Sequence, residues 1–111
     1  MVMLEALRYE APIPMSTGIY LKKDLKLGKY NFKEGDVIMN NFHGLHHNSS
    51  EWQRPSEFLP LRFDNTLKLS LTPGGKKRNP ASFCPFSGGA RICMGKTFAE
   101  ASLKIVMTYL T

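Results

Sequence analysis

Apolar residues recur with a helical period at the two ends of the chain and with a strand period only in its first third. "MVMLEALRYE" sets Val2, Leu4, Ala6 and Leu7 among good helix formers. Pro12 and Pro14 end that segment, because the residue before a proline is pushed toward extended geometry. Glu5 and Arg8 stand three apart on this helix, so their side chains can meet. In "DLKLGKYNFKEGDVIMN", Leu25 and Leu27 alternate with lysines, and Tyr30 and Phe32 with Asn31 and Lys33. The pattern predicts a hairpin turning at Gly28-Lys29, then a short strand over Val37-Ile38-Met39.

From Asn40 to Phe83 the periodicity lapses. Trp52, Phe58, Leu61 and Phe63 are isolated apolar anchors in turn-rich sequence. So long a coil in a compact domain signals either function or a packing partner elsewhere, and loose order is expected here. Periodicity returns near the end. Lys96, Glu100, Lys104 and Thr108 draw a polar stripe, and Phe98, Ala99, Leu103, Ile105, Val106, Tyr109 and Leu110 fill the rest. That is an amphipathic helix with a wide apolar face, and Glu100 stands in the favourable orientation to pair with Lys104.

With 111 residues there is room for one small domain. The formal charge of +6 suits an acidic partner, a membrane surface or nucleic acid without choosing among them. No zinc-finger spacing or RNA-binding aromatic pattern is present, so no nucleic-acid partner is expected. Lys76-Lys77-Arg78 reads as a solvated loop. No secretory signal precedes the first motif, and no run of about eighteen apolar residues could span a bilayer. The chain opens inside an apolar helical pattern with no N-cap, as a piece of a longer protein would.

The candidate chemistry lies in "FCPFSGGARICMGKTFAE", residues 83–100. Gly88, Gly89 and Gly95 permit positive φ and let backbone approach a flat ligand closely. Cys93 falls just before the last helix, near the positive end of its dipole, with Arg91 two residues away. Both favour a thiolate, which is a metal ligand or a nucleophile. A nucleophile would want a base, and nothing in the sequence brings His43, His46 or His47 to Cys93. A zinc site from Cys84, Cys93 and these histidines, a Cys84–Cys93 disulfide and a buried cysteine in a turn are the other readings.

"FSGGARICMG" matches FxxGxRxCxG at Phe86, Gly89, Arg91, Cys93 and Gly95, and Ala99 extends it to CxGxxxA. "EALR" supplies ExxR at Glu5 and Arg8, and "FLPLRF" supplies PxRF at Pro60, Arg62 and Phe63. In this order the motifs resemble those of the cytochrome P-450 family, the haem-thiolate monooxygenases. The resemblance covers the whole chain but only the family's C-terminal portion. It implies a mostly α fold with small β-sheets, of which this chain would hold two helices, short strands and long coil. The implied segments are an ExxR helix at 1–10, a strand and hairpin region at 11–40, a coil with the PxRF element at 41–82, the cysteine loop at 83–95 and the proximal helix at 96–111.

Carried over residue by residue, the resemblance makes Cys93 the axial ligand of haem b (iron protoporphyrin IX), donating electron density that favours O–O cleavage. Phe86 would pack beside the thiolate, and Arg91 would hold a haem propionate. Gly89 would allow the turn, Gly95 the approach of helix to sulfur, and Ala99 the contact of helix with haem. Glu5, Arg8 and Arg62 would form a buried charge network. No catalytic residue proper is expected, because the distal oxygen-activating helix is missing from this sequence. The implied partners are a small organic substrate, O2 and an electron-donor redox protein, with any membrane contact made through a missing N-terminal part. Family resemblance points to the endoplasmic-reticulum membrane for the parent. Pro12 to Ile19, the only expected pocket-lining segment, is apolar and suits a hydrophobic substrate. The alternative is a truncated, inactive fragment with weak or no haem binding.

The chain departs from the family pattern in three places. His46-His47-Asn48-Ser49 stands where the family often has His-Arg-Asp-Pro. No basic residue follows the prolines in "PMSTGIY", where a second propionate-binding arginine is common. Ser102 replaces a frequent glutamate.

Overall fold

The computed structural model describes residues 1–110. Helix α1 spans Val2–Tyr9 and buries Glu5, Leu7 and Arg8. It stops where Glu10 donates its amide to the Ala6 carbonyl, just before the prolines. Two short antiparallel pairs follow. Strand β1 (Ile19–Tyr20) pairs with β4 (Val37–Ile38), and β2 (Leu25–Leu27) with β3 (Tyr30–Phe32). Gly28 takes φ +56° in the turn between β2 and β3, a conformation that favours glycine. The hairpin lies where alternation places it, and β4 covers Val37 and Ile38 of the expected Val37-Ile38-Met39 strand. Strand β1 adds to the sequence reading; at two residues, it is too short to show a period.

The region of lapsed periodicity holds a third helix, α2, over Phe42–His46. Asn41 caps it, its side chain accepting from the Gly44 amide. Single 3-10 turns follow at Pro60–Phe63, Lys68–Ser70 and Pro80–Ser82. The last helix, α3, runs over Lys96–Leu110.

The burial differs from the pattern's expectation. The hairpin side chains are exposed or half-buried, and no residue of α3 is buried. Leu103 and Met107 of α3 face Met3, Ala6 and Leu7 of α1 across an apolar cleft, while Phe98, Tyr109 and Leu110 are exposed. The ion pairs of the described residues are Glu5–Arg8, Glu5–Arg62, Asp24–Lys33 and Arg54–Glu57, so the expected Glu100–Lys104 pair is not formed. The buried centre lies instead between α1 and the coil. Its apolar members are Leu7, Ala11, Phe42 and Trp52, and its polar members include Glu5, Arg8, His46 and Arg62. The coil expected to be loosely ordered thus supplies much of the buried centre, with Phe42, His46, Trp52 and Arg62. Long arginine side chains bind its carbonyls, and such bonds leave no period in a sequence.

Trp52 organises this centre and is 1% exposed. The guanidinium carbons of Arg78, Arg8 and Arg62 lie 4.3, 5.4 and 6.0 Å from its ring centroid. Phe63 and Phe83 pack on it at 5.9 and 6.1 Å. Arg78 therefore corrects the reading of Lys76-Lys77-Arg78 as a wholly solvated loop. Its Nη2 donates to the Arg62 carbonyl at 2.6 Å and its Nη1 to the Leu69 carbonyl at 3.2 Å. Lys76 and Lys77 are exposed.

Candidate active site at the cysteine loop

A cluster built on one carboxylate fixes the scaffold. Glu5 Oε1 accepts from Arg8 Nη2 at 2.8 Å, from Arg62 Nε at 2.9 Å and from the Leu59 amide at 2.8 Å. Its Oε2 accepts from Arg8 Nε at 2.9 Å. The side chains of Glu5, Arg8 and Arg62 are fully buried. Each arginine spends its remaining donors on backbone. Arg8 bonds the carbonyls of His46, Pro55 and Glu57. Arg62 bonds those of Gln53, Arg54 and Glu57. Burial alone would raise the Glu5 pKa, but hydrogen bonds from Arg8, Leu59 and Arg62 more than reverse this and hold it below its ordinary 4.5. The ExxR and PxRF residues thus meet in space, and the loop between them is tied to both.

His46 extends this cluster toward the cysteine loop. Its carbonyl accepts from Arg8 Nη1 at 2.9 Å, and its Nε2 accepts from the Cys84 amide at 3.1 Å. Its ring packs on Phe83 with centroids 5.4 Å apart. Burial, then the positive charge of Arg8 and the neighbouring His47 and His43, push its pKa down to about 4. The unfolded chain, with a pKa near the ordinary 6.5, binds the extra proton first as pH falls. Stability is therefore complete above about pH 6.5 and declines down to about pH 4, by roughly 3 kcal/mol from this group. Glu5 adds a loss in the same direction below its unfolded pKa. Urea unfolding from neutral to acid pH should show this slope, and His46→Gln should remove the part between about pH 6.5 and 4.

The loop then turns toward Cys93. Ser87 donates its amide to the Cys84 carbonyl at 3.0 Å, and Cys93 donates its own to the Phe86 carbonyl at 2.9 Å. A 3-10 turn covers Gly89–Arg91, and the Lys96 amide bonds the Cys93 carbonyl at 3.2 Å as α3 begins. Of the three loop glycines, only Gly89 takes a positive φ, +64°. Gly88 is extended at φ −160°, and Ser87 takes the second left-handed position at +62°. A Cβ on Gly95 would stand 3.7 Å from Cys93 Sγ, in ordinary contact with it.

These turns bring Phe86, Arg91 and Cys93 into one open cleft with Ile13, Phe42, Pro85 and Ser87. Cys93 is an exposed free thiol there. Cys84 is a half-buried free thiol whose pKa burial raises. Ala99 lies one turn into α3 and donates its amide to the Gly95 carbonyl at 2.9 Å. A soft sulfur donor, a guanidinium and apolar walls facing the same space fit a flat, apolar, acid-bearing metal macrocycle. Sequence reasoning missed Arg78 and the bonds made by His46. Their signal was weak: a basic run ending in arginine, and a histidine at the end of the capped α2.

The cytochrome P450 family model matches residues 1–110. The pig (Sus scrofa) taurochenodeoxycholic 6 alpha-hydroxylase is 38% identical over 96% of this chain and 19% of its own length. The human (Homo sapiens) steroid 17-alpha-hydroxylase/17,20 lyase is 32% identical over 96% of this chain and 20% of its own length. Among solved structures, a retinoic acid bound cyanobacterial CYP120A1 superposes with a TM-score of 0.85 at 27% identity, covering 98% of this chain and 24% of that one. The chain belongs to the cytochrome P450 family, whose members are haem-dependent monooxygenases. It spans about one fifth of the length of the curated relatives it matches. No helix of the described residues is long and apolar enough to cross a membrane.

Proposed function

We propose that this chain is the haem-binding C-terminal part of a monooxygenase that inserts one oxygen atom of O2 into an organic, hydrophobic substrate. The observation that carries this is the cleft where exposed Cys93 meets Arg91 and Phe86. Cys93 would hold the iron of haem b, Arg91 a propionate, and Phe86 one side of the sulfur. Gly89 and Gly95 would keep the backbone close to the ligand, and Ala99 would keep α3 close to it. The haem, when bound, supplies the oxygen-activating chemistry. The chain's own residues place the sulfur, fix the macrocycle's orientation and keep the loop rigid through Glu5, Arg8 and Arg62. The names of the two curated relatives, a taurochenodeoxycholic and a steroid hydroxylase, support a hydrophobic substrate. Exposed Lys76 and Lys77 would favour an acidic electron-donor protein. For the whole protein we propose an endoplasmic-reticulum membrane setting on the family resemblance.

A second reading is an inactive fragment that holds haem weakly or not at all. It is favoured by the exposed setting of Cys93 and by α3, which follows the cysteine loop and buries no residue. Haem titration of the 111-residue chain separates the two readings. A thiolate-type spectrum that is absent in Cys93→Ser supports the haem-binding part. No spectral change supports the inert fragment. The isolated chain should show no substrate oxidation in either case, because an open cleft admits water to the reacting centre.

A further inference from the structure

Among the described residues, one side-chain hydrogen bond ties the cysteine loop to the buried charge cluster, and its acceptor is an imidazole. We propose that His46 is a positioning residue for the cysteine ligand, acting through a hydrogen bond from the Cys84 amide to its Nε2. This rests on the reading of Cys93 as the iron ligand.

The path is short and continuous. Arg8 Nη1 donates to the His46 carbonyl at 2.9 Å, so the backbone of His46 is pinned to the Glu5 cluster. The ring of the same residue accepts from Cys84 at 3.1 Å. Cys84 in turn accepts from Ser87, and the Phe86 carbonyl between them accepts from Cys93 at 2.9 Å. A tilt of the imidazole would thus move the turn that holds the Cys93 backbone. The site is built for one chemical form. An acceptor at Nε2 requires the tautomer with hydrogen on Nδ1. His46 is fully buried, and Nδ1 has no partner. A buried polar nitrogen left without a partner costs free energy that an aliphatic side chain of similar volume would avoid. That cost is tolerated where the other nitrogen makes a bond of use. Phe83 packs against the ring, and Phe63 packs against Phe83 at 5.0 Å, so the imidazole cannot swing freely. His43 in α2 and His47 just after it, stacked with centroids 4.2 Å apart, reach no atom of the cysteine loop in the hydrogen bonds of the described residues.

The test uses the haem-loaded whole protein. Glutamine can place its side-chain oxygen near the position of Nε2, asparagine is too short to do so, and leucine has no acceptor. In His46→Leu and His46→Asn, the Cys84 amide should exchange with solvent about tenfold faster. Part of the ferrous carbon monoxide spectrum should also change from thiolate-type to neutral-ligand type. His46→Gln should restore both. If glutamine behaves like leucine, or all three behave like the unmutated protein, the proposal is overturned. A readout without any variant is the pair of imidazole nitrogen shifts in the unmutated protein. They should report hydrogen on Nδ1 across about pH 5 to 8, and hydrogen on Nε2 would overturn the proposal. A missing thiolate-type spectrum in the unmutated protein would instead defeat the reading of Cys93, leaving the amide exchange to decide the role of His46.

Discussion

Cys93→Ser is expected to abolish the thiolate-type carbon monoxide spectrum of the ferrous haem protein, and Cys84→Ser to leave it intact. The two thiols sit nine residues apart in opposite surroundings. Cys93 is exposed in the cleft that also presents Arg91 and Phe86. Cys84 is half-buried, and burial raises its pKa and disfavours a thiolate. Its amide is also bound by His46, which fixes its backbone away from the role of a free ligand. A serine hydroxyl is a harder and far weaker anionic donor than a thiolate, so the loss at Cys93 should be complete. Ferrous carbon monoxide difference spectra of both variants decide the matter. A thiolate-type band surviving in Cys93→Ser would mean the ligand is misassigned.

Glu5→Gln is expected to be the most destabilising single change in the scaffold. The substitution keeps the size of the side chain and removes its charge. It leaves two fully buried guanidiniums, Arg8 and Arg62, with no carboxylate between them. Removing one member of such a buried group costs about 3–5 kcal/mol, because an uncompensated charge remains away from water. Whole domains have only about 5–15 kcal/mol to lose, so much of the protein should unfold or fail to retain haem. Glu57→Gln is the control. Its carboxylate pairs with Arg54 at the surface, and only its carbonyl serves the cluster, so unfolding should hardly change. Urea midpoints of the two variants test the contrast. Equal midpoints would contradict the picture of a charge cluster that carries the fold.

Much of the site could be read from the sequence because it is local. The cysteine loop is a run of fixed residue types, and the helix bearing Glu5 and Arg8 announces itself by its period and its prolines. The hairpin at Gly28 shows in alternation alone. What escaped was long-range and polar. Arg78 looked like part of a solvated run, yet it stacks on Trp52 and bonds the carbonyl of Arg62. The Leu59 amide, the His46 ring and the carbonyls gathered by two arginines are contacts between irregular segments. Periodicity reports faces of regular elements, so it is blind to them. It misled at the last helix for the opposite reason. The apolar residues of α3 are real, but nothing in the described chain covers most of them.

Trp52, with guanidiniums over its ring and aromatics at its edge, gives the centre of this chain an unusual tolerance profile. An oily core accepts many exchanges among side chains of like volume, because its attraction has no direction. A core of forked donors aimed at particular carbonyls accepts almost none, since every replacement strands a partner. Substitutions can therefore accumulate on the strands, the lysine loop and the outer face of α3 while a few positions far apart in sequence stay fixed together. Swapping Arg62 for lysine keeps the charge and loses the fork, so even the gentlest exchange in this centre leaves carbonyls unbound.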